Sequence, residues 1–264
     1  MSAMKIGITG SKGRIGRYLV SRGCVPLDCD ITDPIKLSAE MFRVKPTVVI
    51  NCAGVSDVDF AQDNYKESTV TNVRGFYNVC NAAVNYGAMV VGLSSDHVFS
   101  GKLWYPFTYH EQSKPNPINN YGWTKWGMER VAGTFFNAFV VRTSFAFDSV
   151  RLAPHLAGVL ANLSYPTNVV RSFISFDSLA ENLIYHATNI SKMPKILHIA
   201  GTRPVSWYQF IREFSEKAGT IKKLQKRRYG DIDGKAPRPL RTPLNINLAL
   251  ELGFPLHDFT EDFK

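Results

Sequence analysis

Tyr121 and Lys125 stand four residues apart in Tyr121-Gly-Trp-Thr-Lys125. On a helix that spacing sets both side chains on one face. A nearby ammonium favours a phenolate, so Lys125 is expected to draw the Tyr121 pKa down towards working range. Tyr121 can then give a proton to a carbonyl oxygen or take one from an alcohol. A chain of this composition yields about one such pair by chance, so its place carries the inference. The pair opens a helix just after the loop that follows the fourth strand. Ser94-Ser95-Asp96 ends that strand. Ligands of open α/β sheets bind at strand carboxyl ends, where the Ser95 hydroxyl can meet the same oxygen.

A second constellation lies at the start of the chain. Gly10, Ser11, Lys12, Gly13, Arg14, Ile15 and Gly16 directly follow a buried strand and open a helix. The first glycine permits a tight turn, the second admits a pyrophosphate to the backbone, and the third lets helix and strand pack. The helix N-terminus offers free N–H groups and partial positive charge to phosphates. In this strand–turn–helix context the spacing predicts a nicotinamide-dinucleotide site. Asp28 at the end of the second strand would suit the adenosine ribose of NADH. Lys12 and Arg14 would suit a 2′-phosphate, and the balance leans to NADPH, with NADH as the other cofactor. Lys125 can hold the nicotinamide ribose.

The elements that must position these groups alternate. Strands are expected over 4–9, 24–28, 47–51, 89–94, 138–142 and 196–199. Helices are expected over 14–21, 34–44, 65–86, 121–131, 152–163, 177–188 and 206–218. Asp33 with Pro34 marks a helix start. The alternation predicts an α/β fold, a doubly wound parallel sheet (Rossmann fold) with a smaller mixed C-terminal substrate lobe. The dinucleotide domain is expected at 1–144 plus about 177–200, and the lobe at about 145–176 plus 201–264.

Composition narrows the class. The chain has 264 residues, of which 45% are hydrophobic and 20% charged, which fits an ordinary globular core. No apolar run reaches the roughly 18 residues of a membrane span. The first residues lead straight into a strand without a secretory apolar region, so a cytoplasmic protein without a membrane partner is expected. Four cysteines, at 24, 29, 52 and 80, form no Cys-x-x-Cys pair, so neither disulfides nor a zinc site is expected. The formal charge is +9, much of it in 222–228, and a solvated helix end is the favoured reading of that run. No nucleic-acid motif accompanies it. Apart from His97, which stands beside the expected pocket, the histidines show no ligand spacing, and no metal is expected.

The residues in sequence order carry a resemblance. Gly10–Gly16, Asn51-Cys-Ala-Gly54, Ser94-Ser-Asp-His-Val-Phe99 and Tyr121–Lys125 resemble the extended short-chain dehydrogenase/reductases. More narrowly, the chain looks like the dTDP-4-dehydrorhamnose reductases. Asp30-Ile-Thr-Asp33, Pro46–Asn51, Asn72, Lys125–Glu129, Val141-Arg-Thr-Ser144, Ser206–Phe210, Arg238-Pro239 and Leu244-Asn245 extend the match over nearly the whole chain. The resemblance implies that Asp30, Ile31, Cys52, Ala53, Gly54, Tyr121 and Lys125 join the glycine turn in holding cofactor. It implies that Ser95 and Tyr121 face a keto oxygen. Ser56, Asp96, Val98, Phe99, Phe145 and Arg238 would touch a nucleotide sugar. The implied reaction is hydride transfer to the C4 carbonyl of a nucleotide-linked 4-keto-6-deoxy sugar, by a monomer or homodimer. The family usually has Thr at Ser95, Tyr at His97 and Trp at Phe145. These changes, with Val58–Gln62 and Arg171–Asp177, fall where base and sugar would be read.

Two other activities fit parts of the pattern. A nucleotide-sugar 4-epimerase uses the same Ser, Tyr and Lys. The regulatory β subunit of methionine adenosyltransferase resembles the same reductases and uses the fold to bind cofactor and partner, without turnover.

Overall fold

In the computed structural model, residues 4–148, 164–217, 219, 224–229 and 236–263 are described. Six parallel strands form the central sheet: β1 (Ile6–Thr9), β2 (Val25–Pro26), β3 (Val48–Asn51), β4 (Met89–Ser95), β5 (Ala138–Thr143) and β6 (Ile196–His198). Their order is β6-β5-β4-β3-β1-β2, so the chain reverses direction across the sheet between β1 and β3. A crevice opens there, beyond the strand carboxyl ends.

The strands are apolar on both faces because helices cover both. Val48, Ile50, Val91, Phe139 and Val141 face one helical layer, with Leu19 of α1 (Arg14–Val20) and Leu179 and Leu183 of α7 (Phe176–Thr188). Val49, Val90, Ala138 and Val140 face the other. There they meet Leu37 and Met41 of α2 (Pro34–Val44), Phe76 and Val79 of α5 (Phe76–Asn85), and Met128 of α6 (Asn120–Ala132).

The helix expected over 65–86 is broken by geometry rather than by sequence. After α4 (Tyr65–Thr69) the backbone widens into a π turn, Val70–Gly75, before α5. Such turns recur at functional positions. This one carries buried Asn72, whose Oδ1 accepts from Val55 N at 2.7 Å and whose Nδ2 donates to Thr124 Oγ1 at 2.8 Å. The loop after β3 is thereby tied to α6. A further helix, α3 (Val58–Asp63), was not expected: six residues are too few to show a period, though Asp57 caps it.

Beyond Ser144 the chain makes short strand pairs. Ala146–Phe147 pairs with Ile174–Ser175, Ser164–Pro166 with Gln225–Arg227, and Val170–Arg171 with Val205–Ser206. Around them sits an aromatic core in which Phe173 and Phe210, the latter on α8 (Trp207–Lys217), stack at 4.0 Å. The basic run is therefore not a helix end where it is described, since Gln225–Arg227 is a strand. The helix expected over 152–163 lies outside the described residues. Among the described residues, no helix is long and apolar enough to cross a membrane.

Candidate active site

The glycine turn ends at α1, whose N-terminus no side chain caps. Asp33, Asp57, Asn119 and Ser175 cap α2, α3, α6 and α7. Backbone donors at α1 are thus left for an anion. A Cβ at Gly16 would lie 2.2 Å from Gly10 O, so only glycine lets α1 close onto the turn. Beside the turn, a cavity of about 330 Å³ is lined by Gly10, Ser11, Lys12, Gly13, Leu27, Asp28, Cys29 and Asp30. Ser11 Oγ donates to Asp28 Oδ1 at 2.9 Å, and Asp30 accepts from Thr32 N and Oγ1.

Lys12 and Arg14 part company. Lys12 stays on the Asp28 cavity, whereas Arg14 reaches the opposite way. Its Nη2 donates to Ser56 Oγ at 3.3 Å, and its guanidinium lies 5.8 Å from the Phe176 ring centre. The expected pairing of both residues with one 2′-phosphate is therefore corrected: Arg14 faces the cavity that Tyr121 lines. Ile31 is corrected too, because its side chain is 1% exposed and packed in the core. Ile15 packs along the opposite core. Cys52, Ala53 and Gly54 run from the end of β3 past Lys125: a Cβ at Gly54 would sit 3.7 Å from Lys125 Nζ.

Tyr121 and Lys125 share the buried face of α6. Lys125 Nζ donates to Leu93 O at 3.0 Å and lies 5.8 Å from the Tyr121 ring centre. Burial pushes the Tyr121 phenol up to about 12, with the Asp96 charge adding, while the Ser95 hydrogen bond and Arg14 oppose it. The expected lowering by Lys125 is not found. Burial is the reason, and it also holds Lys125 down at about 8, against the pull of Cys52 and Glu129. A phenol that stays protonated suits a proton donor.

Ahead of Tyr121 lie two cavities, of about 220 and 390 Å³, that share Val58, His97, Phe145 and Arg171. The smaller adds Arg14, Ser56, Ser95, Asp96 and Tyr121. Asp96 is 2% exposed and fully engaged. It accepts from Ser95, Ser144 and Thr242 and pairs with Arg171 Nε at 3.3 Å. Val98 and Phe99, expected to touch substrate, are corrected. Both are 0% exposed in a core with Tyr109 and Leu244, and Phe99 stacks on Tyr109 at 4.1 Å. The 3₁₀ turn Asp96–Val98 that follows β4 turns them inward.

Sequence reasoning singled out no role for Tyr165, Trp207, Arg227 and Tyr229, which line the larger cavity with Arg238. Arg238 is held by Asp59 through both oxygens, at 3.0 and 2.9 Å. Tyr165 Oη and Arg227 Nε are buried with no hydrogen-bond partner among the described residues. The sequence signals were the basic run that contains Arg227 and the Ser206–Phe210 match that contains Trp207.

His97 lies edge-on to Tyr121, with ring centres 5.5 Å apart. Burial, with Arg171 and Arg238, lowers its pKa to about 4 against the opposing pull of Asp96 and the Asn119 hydrogen bond, so it is neutral near pH 7. A Cβ at Gly122 would lie 2.2 Å from His97 O, so glycine there lets α6 press onto this segment.

Comparison with known proteins places this geometry in context. A family model described as the RmlD substrate binding domain matches residues 4–264. A dTDP-4-dehydrorhamnose reductase of Mycolicibacterium smegmatis is 28% identical over 98% of this chain and 84% of its own. The crystal structure of a dTDP-4-dehydrorhamnose reductase from Clostridium acetobutylicum is 27% identical, with a TM-score of 0.90 over 99% of this chain and 97% of its own. Another from Bacillus anthracis, in complex with NADP, is 24% identical with a TM-score of 0.90 over 98% and 96%.

Proposed function

Because the chain belongs to the RmlD substrate binding domain family, we propose that it reduces the C4 keto group of a nucleotide-linked 4-keto-6-deoxy sugar, as in dTDP-rhamnose biosynthesis. NADPH is the preferred reductant, with NADH usable. The nicotinamide cofactor, when bound, supplies the hydride. The uncapped α1 N-terminus and the cavity beside it fit its diphosphate and adenosine ends. Lys12 meets a 2′-phosphate, and Lys125 with Cys52, Ala53 and Gly54 takes the nicotinamide end.

The observation that carries this reading is the meeting of Tyr121 and Ser95 at the head of a two-part cavity. Ser95 and Tyr121 hydrogen-bond the keto oxygen, and Tyr121 delivers its proton there as the carbonyl is reduced. Lys125 steadies the phenolate that remains until water restores its proton. Phe145, Trp207, Tyr165 and Tyr229 give apolar faces to a nucleotide base, while Arg227 and Arg238 give cationic partners to a diphosphate. Residues 145–176 and 201–264 act as the substrate lobe.

The test is NADPH and NADH oxidation by purified protein with dTDP- and UDP-linked 4-keto-6-deoxyglucose, with and without a 3,5-epimerase. Oxidation of NADPH that Tyr121→Phe abolishes is expected. Saturable cofactor binding without oxidation of any 4-keto sugar would overturn the reading in favour of a cofactor-binding regulatory subunit or an epimerase.

A further inference from the structure

Asn119 has a dictated orientation. Its Oδ1 accepts from Gly122 N at 2.8 Å as the cap of α6, and an amide oxygen is the only end that can do so. Its Nδ2 faces Pro237 O at 2.8 Å, where only a donor fits. The same Nδ2 lies 3.1 Å from His97 Nδ1. Both amide hydrogens are then given away, and His97 Nδ1 has to be an acceptor. A neutral imidazole with an accepting Nδ1 carries its proton on Nε2.

His97 lines both cavities ahead of Tyr121, and among the described residues its ring bonds through Nδ1, leaving Nε2 for a ligand. We propose that His97 is a specificity-determining residue held as the Nε2–H tautomer by Asn119, presenting a neutral donor to a sugar oxygen where the two cavities join. The donor role rests on the nucleotide-sugar reading above; the tautomer does not. His97 lines the smaller cavity together with Ser95 and Tyr121, its ring centre 5.5 Å from that of Tyr121, so the oxygen it reads belongs to the sugar ring or a hydroxyl rather than to the base. The Asn119 amide ties three segments together: the cap that aims Tyr121, the Pro237 loop beside Arg238, and His97. The groups facing the imidazole are Asp96, Arg171, Arg238 and Asn119, and the net effect keeps it uncharged.

Nitrogen NMR of histidine-labelled full-length protein tests the tautomer directly, with His97→Gln assigning its signals. A protonated Nε2 and bare Nδ1 at neutral pH are expected. A protonated Nδ1, or an imidazolium, overturns the proposal. In Asn119→Asp the carboxylate still caps Gly122 but cannot donate, so the proton should move to Nδ1. A proton that stays on Nε2 there means that Asn119 does not set it. Adding dTDP-rhamnose should shift the His97 Nε2 signal, while dTDP alone leaves it in place. Equal shifts with both would assign His97 to the nucleotide instead and overturn the sugar contact. His97→Leu should raise KM for the sugar nucleotide about tenfold with kcat changed less, and His97→Gln should recover part of that loss, since glutamine keeps a donor. A loss in His97→Leu confined to kcat would also overturn it. If the wild type reduces no 4-keto sugar while the tautomer is found, the reductase reading fails and the tautomer stands.

Discussion

In the proposed function the glycine turn and the cavity around Arg227 recognise their partners by opposite means. The turn is seven consecutive residues, Gly10 to Gly16, and its instrument is backbone: N–H groups at an uncapped helix start. The larger cavity is drawn from Val58, His97, Phe145, Tyr165, Pro166, Val169, Arg171, Trp207, Arg227, Tyr229 and Arg238, and its instrument is side chains. A backbone site needs glycine and fixed order, so it leaves a spelling in the sequence. A side-chain site needs only that distant segments converge, and many residue sets can serve. The turn is therefore suited to a constant ligand and the cavity to one that varies between relatives.

Breaking the molecule where these regions meet has the largest expected effect. Tyr121→Phe should lower kcat by about 10²–10⁴-fold, the usual worth of a positioned proton donor. Cofactor and sugar-nucleotide affinities should change far less, because Tyr121 lines neither the cavity beside the turn nor the larger cavity. Stopped-flow turnover beside calorimetric binding would check this, and wild-type turnover in the variant removes Tyr121 as the donor. Next comes the cavity alone. Arg227→Met with Tyr165→Phe should raise KM for the sugar nucleotide about ten- to a hundredfold, the cost of losing hydrogen bonds to a charged group. Cofactor affinity should not move. A matching fall in NADPH affinity would show that the two regions are not separable.

This contrast also explains what could be read before folding. All six sheet strands, the glycine turn, Ser95 and the Tyr121–Lys125 pair follow from local pattern, because buried parallel strands and helix-face spacing are short-range signals. The π turn at Val70–Gly75 left none, since it arises from Asn72 bonding Val55 and Thr124 across the fold. Val98 and Phe99 read as contacts because they flank site residues in sequence, yet the turn after β4 sends them into the core. The direction of the Tyr121 pKa was misjudged for a related reason. Neighbouring Lys125 is visible in sequence, but the burial that raises the phenol is a property of the assembled layers. Arg14 shows the same limit within the turn, where residues two apart point to different cavities.

The pH response sharpens which group at the junction is titrating. Tyr121, held near 12, remains a phenol over the measurable range. Lys125, held at about 8, is charged below that pH and loses its proton above it. Reduction should therefore fall about tenfold as pH rises from 7 to 9, as the phenolate loses its cationic support. Lys125→Arg should erase that limb, because a guanidinium stays charged. A limb persisting in Lys125→Arg would assign it elsewhere.

The smallest effect belongs to the turn alone and decides whether it reads the cofactor's charge. Lys12 is exposed beside Asp28, whereas Arg14 is drawn to Ser56 and Phe176. An exposed ion pair is worth little, so Lys12→Ala should reduce the NADPH to NADH ratio of kcat/KM only about three- to fivefold. Arg14→Ala should leave that ratio in place and weaken both cofactors or the sugar alike, because its charge lies on the catalytic side. Asp28→Ala should act opposite to Lys12→Ala: removing a carboxylate beside the ribose relieves repulsion of a 2′-phosphate and costs NADH its partner. Three variants with three different signs separate a turn that reads the phosphate from one that merely attracts anions. Raised salt should compress the Lys12 effect and spare the buried contacts, since only the exposed pair is screened. If Arg14→Ala moves the ratio as far as Lys12→Ala does, the division of the turn between two ligands is wrong.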